Sequence, residues 1–547
     1  MTQEFTTQEL CETSAGYWAV YNKIRLQADI FSFGRRQYQK EWMNNTCRQE
    51  CHMKATQGGV SEAVGVLKSL HGLIYKKYKR GVLYMFPSSD DVLEFGKSRF
   101  SPLISQNHKA IGQYVRSAGQ KGTDTASLKR VHDAYLYLRG ARITQKKEDS
   151  GQGSSKLSGI PVDRCVFDEV DLMDDEVIIK ALERMGDSEV KEEVYIGNPR
   201  VPGSGIDAVF QRSDQRHLFR KCSSCGEWTC AELFFSEDPE KCVGIRDDGT
   251  GYIRCQHCEK EVGLTDVKWI PQVIDSNIKM RGYRWSQLSS MVNDPAEILE
   301  QYRDPPQGNI TDVYRLRLGL PYVPVEDMMT PERVMRCFGT EMMAQRHKGP
   351  CAMGVDVGKI KHVVIGTKTG TDQYEVIKVI AVSKWNDIHD LARKYNVKSA
   401  VIDIRPYEDA ARKFQEAEPY RIFLCEYKEN FPNGTEYNTK SGIVKQQRTE
   451  IHDATHRLID EQMIKFPRRS PVMDLFTKQY CNTAKILEED KRTGVDVFRY
   501  RVQKKALGDH FRQATNYFLL AARGGRLATV TDYDAVPQDA ISEYAII

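Results

Sequence analysis

The run Arg164-Cys165-Val166-Phe167-Asp168-Glu169-Val170-Asp171 narrows the fold of this 547-residue chain more than any other stretch. A short apolar segment stops abruptly at two adjacent carboxylates. This is how a buried strand delivers a metal-holding Asp and a water-activating Glu to the edge of a sheet in nucleotide hydrolases. The surrounding sequence agrees with a sheet. Residues 1–210 alternate strand-like runs with helical stretches, an α/β pattern. Val82-Leu83-Tyr84-Met85-Phe86, closed by Pro87, reads as one strand, and Val194-Tyr195-Ile196, closed by Gly197 and Pro199, as another. Residues 146–159, rich in Gly, Ser and Lys, read as a polar loop.

Length predicts two to four domains. No run approaches the roughly 20 apolar residues that a membrane helix needs, and Met1-Thr2-Gln3-Glu4 opens no basic and apolar leader. A soluble, intracellular chain is expected. The 79 basic and 75 acidic residues nearly cancel, so any nucleic-acid binding must come from local patches. Fourteen cysteines in a chain of this length do not make a disulfide scaffold.

A phosphate-loop candidate precedes the acidic strand. Residues 54–62 read Lys-Ala-Thr-Gln-Gly-Gly-Val-Ser-Glu, followed by an amphipathic run. Gly59 and Ser61 fit the sixth and eighth positions of the G-x-x-x-x-G-K-S/T loop, Val60 replaces its lysine, and Lys54 stands at the first position. Such a loop needs curled backbone N–H groups, a helix N-terminus, a hydroxyl for magnesium and one cation. Lys54 could supply that cation from the far end. The same residues also describe an ordinary Gly-rich turn before a helix.

Cys222-Ser223-Ser224-Cys225 and Cys255-Gln256-His257-Cys258 are two C-x-x-C knuckles, matching a closed structural zinc site with four thiolate ligands. A closed thiolate site leaves no open position for catalysis. Cys230 and Cys242 read as bystanders.

A second acidic set starts a fresh α/β pattern at Cys351. Strands are expected at 351–356, 361–367 and 374–382, then a helix at about 385–395 and a strand at 398–404. Asp356 lies in the first strand, Asp403 in the last, and Asp509 at the start of a final helix near 509–523. Carboxylates on two neighbouring strands and a packed helix can converge on a pair of Mg²⁺ or Mn²⁺ ions that cleave phosphodiesters. Singly, each Asp reads equally as a strand-end cap, an ion-pair partner or a helix N-cap.

Taken in order, these pieces resemble the large terminase subunit of tailed bacteriophages, in the branch with a zinc ribbon between motor and nuclease. Further pieces carry the resemblance: Met85-Phe86-Pro87-Ser88 with Arg99, Leu157-Ser158-Gly159, Asn198-Pro199 with Gly203-Ser204-Gly205-Ile206, and Leu318-Gly319-Leu320-Pro321-Tyr322. It implies an α/β chain with a P-loop ATPase domain of the RecA or ASCE kind at 1–214, a zinc ribbon at 215–262, the rest of the ATPase and a linker at 263–345, an RNase H-like nuclease at 346–525 and a tail at 526–547. Lys54, Gln57, Gly59 and Ser61 would hold ATP and its Mg²⁺ with Asp168, and Glu169 would orient the attacking water. Tyr38 and Gln39 are adenine-binding candidates, and Arg99 is a candidate arginine finger for a neighbour's nucleotide. Gly197-Asn198-Pro199 occupies the place of a coupling motif, although Gly197 departs from the family's Ser/Thr pattern.

Asp356, Asp403 and Asp509 would form the nuclease metal site, and Cys222, Cys225, Cys255 and Cys258 would hold Zn²⁺. The implied partners are double-stranded DNA, a portal and procapsid, a small terminase subunit and further copies in a ring, in the host cytoplasm. Two rivals stand beside this reading. One is a helicase-nuclease of DNA repair. The other is a zinc-ribbon DNA-binding scaffold with a defunct ATPase, which Val60 favours.

Overall fold

The structure is a computed structural model that describes residues 5–27, 29–115, 127–141, 157, 159–324, 328–429, 431, 434–489, 496–504 and 507–524. Most of the polar loop expected at 146–159, and the tail at 526–547, lie outside the described residues. The chain divides into two units, Met1–Tyr322 and Val323–Ile547.

In the first unit ten strands pair into one sheet: β1 (Gln49–Lys54), β2 (Val82–Phe86), β3 (Leu128–Val131), β4 (Ala134–Gly140), β5 (Arg164–Asp168), β6 (Glu192–Gly197), β7 (Arg216–Lys221), β8 (Trp228–Cys230), β9 (Val267–Pro271) and β10 (Met280–Trp285). Their order is β8-β7-β10-β1-β6-β5-β2-β4-β3, with β9 also paired to β7. From β7 to β4 all neighbours are parallel. β2 and β5 are buried along their whole length, as a parallel sheet covered on both faces requires. β1 is nearly as buried but polar in sequence. Its Glu50 is held by Lys68 Nζ at 2.6 Å and by His52 Nε2 at 3.2 Å, so its charges are paired rather than exposed.

Parallel register decides where the chemistry falls. Met53 stands opposite Gly197, and Ile196 opposite Asp168. The carboxyl ends of β1, β6 and β5 therefore meet at one sheet edge, carrying Lys54, Asn198 and the Asp168-Glu169 pair. Crevices at that edge are where open α/β sheets bind ligands.

Two of the expected stretches share strands or core with the units on either side. The Cys-rich stretch 215–262 is not a free-standing insert, because β7 and β8 belong to the main sheet and only the turns beyond them carry the knuckles. The segment 263–345 is divided: β9 and β10 complete the first sheet, whereas Met329, Val334 and Cys337 are buried in the second unit's core.

In the second unit the main sheet is built from β11 (Cys351–Asp356), β12 (Lys361–Gly370), β13 (Gln373–Val382), β14 (Val397–Asp403), β15 (Arg421–Lys428), β16 (Thr435–Asn438), β17 (Ile443–Gln447) and β18 (Ile464–Lys465), and Thr483–Glu489 pairs with Asp496–Val502 as a separate hairpin. The sheet order is β16-β17-β15-β14-β11-β12-β13-β18. β11, β12 and β13 form an antiparallel meander, and a crossover through the helix Trp385–Lys394 brings β14 back parallel to β11. The expected strand and helix order is present.

The last helix, His510–Gly524, is buried from Phe511 through Ala522. It lies directly on β11, and Gly354 is the reason. A Cβ at that position would stand 2.1 Å from both the Ala514 carbonyl oxygen and the Phe518 nitrogen. Helix and strand backbones touch there with no room between them. Gly354→Ala is expected to destabilise the protein by about 3 kcal/mol or more, since rigid backbone cannot yield as a side chain does. Denaturant unfolding of the variant reads this directly, and an unchanged midpoint would refute the contact.

Candidate functional sites at two sheet edges

After β1 the chain makes a tight loop. Gln57 and Gly59 both take left-handed backbone, φ 63° and 71°. A side chain at Gly59 would press on Gln39 and on Arg36 Nη1, so glycine is required twice over. The loop then enters a buried helical segment, Ser61–Leu67, continued by Lys68–Ile74. Tyr38 and Gln39 lie beneath the loop. The Gln39 side-chain amide donates to the Gly58 carbonyl at 2.9 Å, and the Tyr38 hydroxyl at 3.3 Å. Tyr38 is also enclosed by Trp42 and Trp285. Both residues brace the loop.

Opposite the loop, Glu169 is held in left-handed backbone at φ 61°, ψ 56°. That conformation costs a non-glycine residue about 1 kcal/mol or more and tends to persist at functional sites. Lys54 Nζ donates to Glu169 Oε1 at 2.9 Å. Burial works against the Lys54 ammonium, yet Glu169 and Asp168 hold its pKa above the ordinary lysine value. Asp168 is buried, and burial followed by the Glu169 charge pushes its pKa up to about 6, opposed by Lys54, the Tyr84 hydroxyl and Ser61. The Tyr84 hydroxyl donates to Asp168 Oδ2 at 2.7 Å, while buried Oδ1 has no hydrogen-bond partner among the described residues. A buried carboxylate oxygen with a free lone pair beside a serine hydroxyl suits a hard divalent cation.

Asn198 closes the site from β6. Its side-chain amide donates to the Lys54 carbonyl at 3.1 Å and to the Arg315 carbonyl at 2.7 Å, and its backbone N–H reaches Glu169 Oε2 at 3.4 Å. A cavity of about 920 Å³ is lined by Lys54, Gln57, Gly59, Ser61, Glu169, Arg36 and Arg99. Arg99 is ion-paired with Glu62 on the wall of this cavity in its own chain, although the sequence reading assigned it to a neighbour's nucleotide. Sequence reasoning missed Arg36 and Asp171. Burial pushes Asp171 up to about 7, and it accepts N–H groups from Ile206 and Arg200. Arg36 lies three residues before Gln39, among polar residues that give no pattern.

In the second unit, parallel pairing of Val355 with Ile402 sets Asp356 beside Asp403 at the ends of β11 and β14. Asp509 immediately precedes the last helix, where Gln513 Nε2 donates to its Oδ2 at 2.6 Å. Burial raises Asp356, assisted by the Asp509 charge, and raises Asp403 to about 6, assisted by Asp356. The carboxylates thus lie within electrostatic reach of one another, an arrangement that costs free energy until a cation joins it. Two residues crowd the same spot. His510 Nδ1 lies 2.9 Å from Asp356 Oδ2, and its ring stacks on His362 at 4.7 Å. His362 was missed in the sequence, although a tight turn at Gly358 between two strands puts residues 356 and 362 opposite each other.

Each cysteine knuckle closes a turn. Cys222 Sγ lies 3.7 Å from Cys258 Sγ, and Cys225 Sγ lies 3.6 Å from Cys255 Sγ. All four sulfurs fall within 4.8 Å of one another. Tetrahedral zinc, with Zn–S near 2.3 Å, sets sulfurs about 3.8 Å apart, so the four thiols fit that ion.

A lysine-anchored loop and an acid pair at the carboxyl edge of a parallel sheet define the first unit as an ATPase domain of the α/β class. Residues 31–273 match the family model of the phage terminase large subunit gpA, ATPase domain. Among solved structures, the large terminase of bacteriophage HK97 is similar over 92% of this chain and 99% of its own, at 12% identity and a TM-score of 0.52, so the two share a fold. The large terminase of a thermophilic bacteriophage, in complex with ATP-gamma-S, aligns over 90% of this chain and 99% of its own, at 11% identity and a TM-score of 0.30. The ATPase domain of the Thermus phage P74-26 large terminase aligns over 52% and 92%, at 11% identity and a TM-score of 0.31. No curated protein matches by sequence.

Proposed function

We propose that this chain is a genome-packaging motor subunit that hydrolyses ATP to drive double-stranded DNA into a procapsid and cuts concatemeric DNA at a second, metal-dependent site. The observation that carries the motor reading is the Lys54–Glu169 pair across the loop from Asp168. In this reading Lys54, Gln57, Gly59 and Ser61 bind the triphosphate. Asp168 with Ser61 holds Mg²⁺, and Glu169 orients water. Arg99, already on the cavity wall, acts within its own chain. Asn198, bonded to the β1 end and to the 315 segment, links the site to the loop that follows β6. Tyr38 and Gln39 serve by shaping the loop and bordering the base.

The nuclease reading draws support from the second unit's sheet. Its central five strands run β13-β12-β11-β14-β15 with β12 alone antiparallel, the plan of an RNase H-like domain, which we assign to 346–525. Asp356, Asp403 and Asp509 would hold Mg²⁺ or Mn²⁺. Bound there, a metal pair supplies a lowered-pKa water and Lewis acidity toward phosphodiesters. The protein itself fixes the carboxylates on two strand ends and one helix start. The zinc ribbon is structural. Loss of its metal, on treatment with a chelator or in Cys255→Ser, is expected to lower the melting temperature by several degrees and release one zinc per chain, read by atomic absorption.

Partners in this reading are double-stranded DNA, gripped through phosphates in a salt-sensitive way, the portal and procapsid, a small terminase subunit and further copies of the chain in a ring, all in the host cytoplasm. ATP-dependent protection of linear DNA by purified procapsids tests the proposal. Unwinding of a forked duplex without such protection would instead favour a helicase-nuclease.

A further inference from the structure

We propose that Arg36 binds the phosphate chain of the nucleotide and lends the loop the cation that Val60 does not supply. The inference rests on the ATPase reading of the first unit and deepens it by assigning a phosphate-binding residue that lies outside the loop.

The charges around the cavity single it out. The standard phosphate loop carries its lysine at the place of Val60, and here Val60 is buried in the apolar core. Lys54, Arg35, Arg36 and Arg99 are the basic residues of the cavity lining. Lys54 is already paired with Glu169, and Arg99 with Glu62. Arg35 is exposed. Arg36 is partly buried and is ion-paired with none of the described carboxylates. Of the three held against the cavity wall, Arg36 alone brings a positive charge that no carboxylate offsets. A triphosphate is a polyanion, and an open cation on the wall is what it would seek.

Its position is fixed by the backbone. The Arg36 N–H donates to the Phe33 carbonyl at 3.1 Å, and the Arg36 carbonyl accepts from the Gln39 N–H at 2.9 Å. The Gln39 side chain then fastens this turn to the loop at Gly58. Gly59 gives the guanidinium its room, because a Cβ there would stand 2.9 Å from Arg36 Nη1 and 3.7 Å from Cζ. The planar fork therefore lies against the part of the loop whose backbone N–H groups would face phosphate. A guanidinium presents paired N–H donors that match phosphate oxygens. A group placed beforehand loses little freedom when the ligand arrives.

The test titrates the full chain by calorimetry with ATP and, separately, with inorganic tripolyphosphate, which has the phosphates and no base. Arg36→Gln is expected to weaken both ligands by about tenfold to a hundredfold, the scale of hydrogen bonds to a charged group. Its melting temperature without nucleotide should stay within a few degrees of wild type, since the Arg36 side chain has no ion-pair partner to lose. Arg36→Lys keeps the charge but not the fork, and its affinities should fall between those of wild type and Arg36→Gln. Weaker ATP binding with tripolyphosphate binding unchanged would place Arg36 at the base or ribose and overturn the inference. Unchanged binding of both ligands in Arg36→Gln overturns it as well. No ATP binding by the folded wild type overturns the ATPase reading beneath it.

Discussion

Glu169→Gln is expected to lower ATP turnover by about a thousandfold or more while nucleotide affinity changes only a fewfold, because removal of a positioned base or water-orienting carboxylate costs roughly 10²–10⁴ in rate. Gln is the informative substitution. It retains the side-chain length needed to meet Lys54 Nζ, now 2.9 Å from Oε1, and any non-glycine residue bears the same left-handed backbone strain. The amide cannot accept a proton or hold one in flight. Phosphate release under saturating ATP measures the rate, and fluorescence of a nucleotide analogue measures binding. Plasmid cleavage by the second unit should persist in the same preparation. Equal loss of both activities in a folded variant would argue against separate sites.

The second large effect is expected at Asp356. Asp356→Ala should reduce metal-dependent cutting of supercoiled plasmid by at least about a thousandfold with either Mg²⁺ or Mn²⁺, the scale of losing a ligand that builds the attacking water. ATP turnover should be unchanged. Stability gives an independent reading. In the metal-free protein Asp356 is crowded by Asp403 and Asp509. Its removal relieves like-charge repulsion, and the melting temperature should not fall by more than a few degrees. The rise in melting temperature that divalent cations give wild type should vanish, since ligand stabilisation requires a site. Undiminished cutting in the variant would remove the carboxylate site as the nuclease.

Apolar strands were plain in the sequence. β2, β12 and β13 are rich in branched and aromatic residues, and the short apolar runs of β5 and β11 end in the acids Asp168 and Asp356. β1 was hidden, because Gln49-Glu50-Cys51-His52-Met53-Lys54 looks like surface. Glu50 is accommodated inside because Lys68 pairs with it, across 18 residues that no local pattern bridges, while the His52 ring hydrogen-bonds the same carboxylate. Lys54 was expected at the front of a loop, and in the structure it is the last residue of a strand. The Cys-rich stretch misled in the opposite direction: its composition suggested a separate module, whereas β7 pairs with β10 only after the chain has gone out and returned. His362 and Arg36 escaped because each meets its neighbours on another element, His362 on the His510 ring and Arg36 at the Gly59 turn. Periodicity reports which face a residue takes, and says nothing of what it will meet there.

The contact at Gly354 has a consequence for how tolerant the second unit can be. Side-chain packing between a helix and a strand usually leaves slack that compensating substitutions can absorb. Here the spacing between β11 and the helix that follows Asp509 is set by the thickness of two backbones. No change elsewhere in the core can tune the gap between the acid on the strand and the acid and imidazole at the helix start. The spacing of these side chains is thus inherited as a fixed dimension, like the gauge of a track, and variation in this unit must be sought in the residues that line the gap and not in its width.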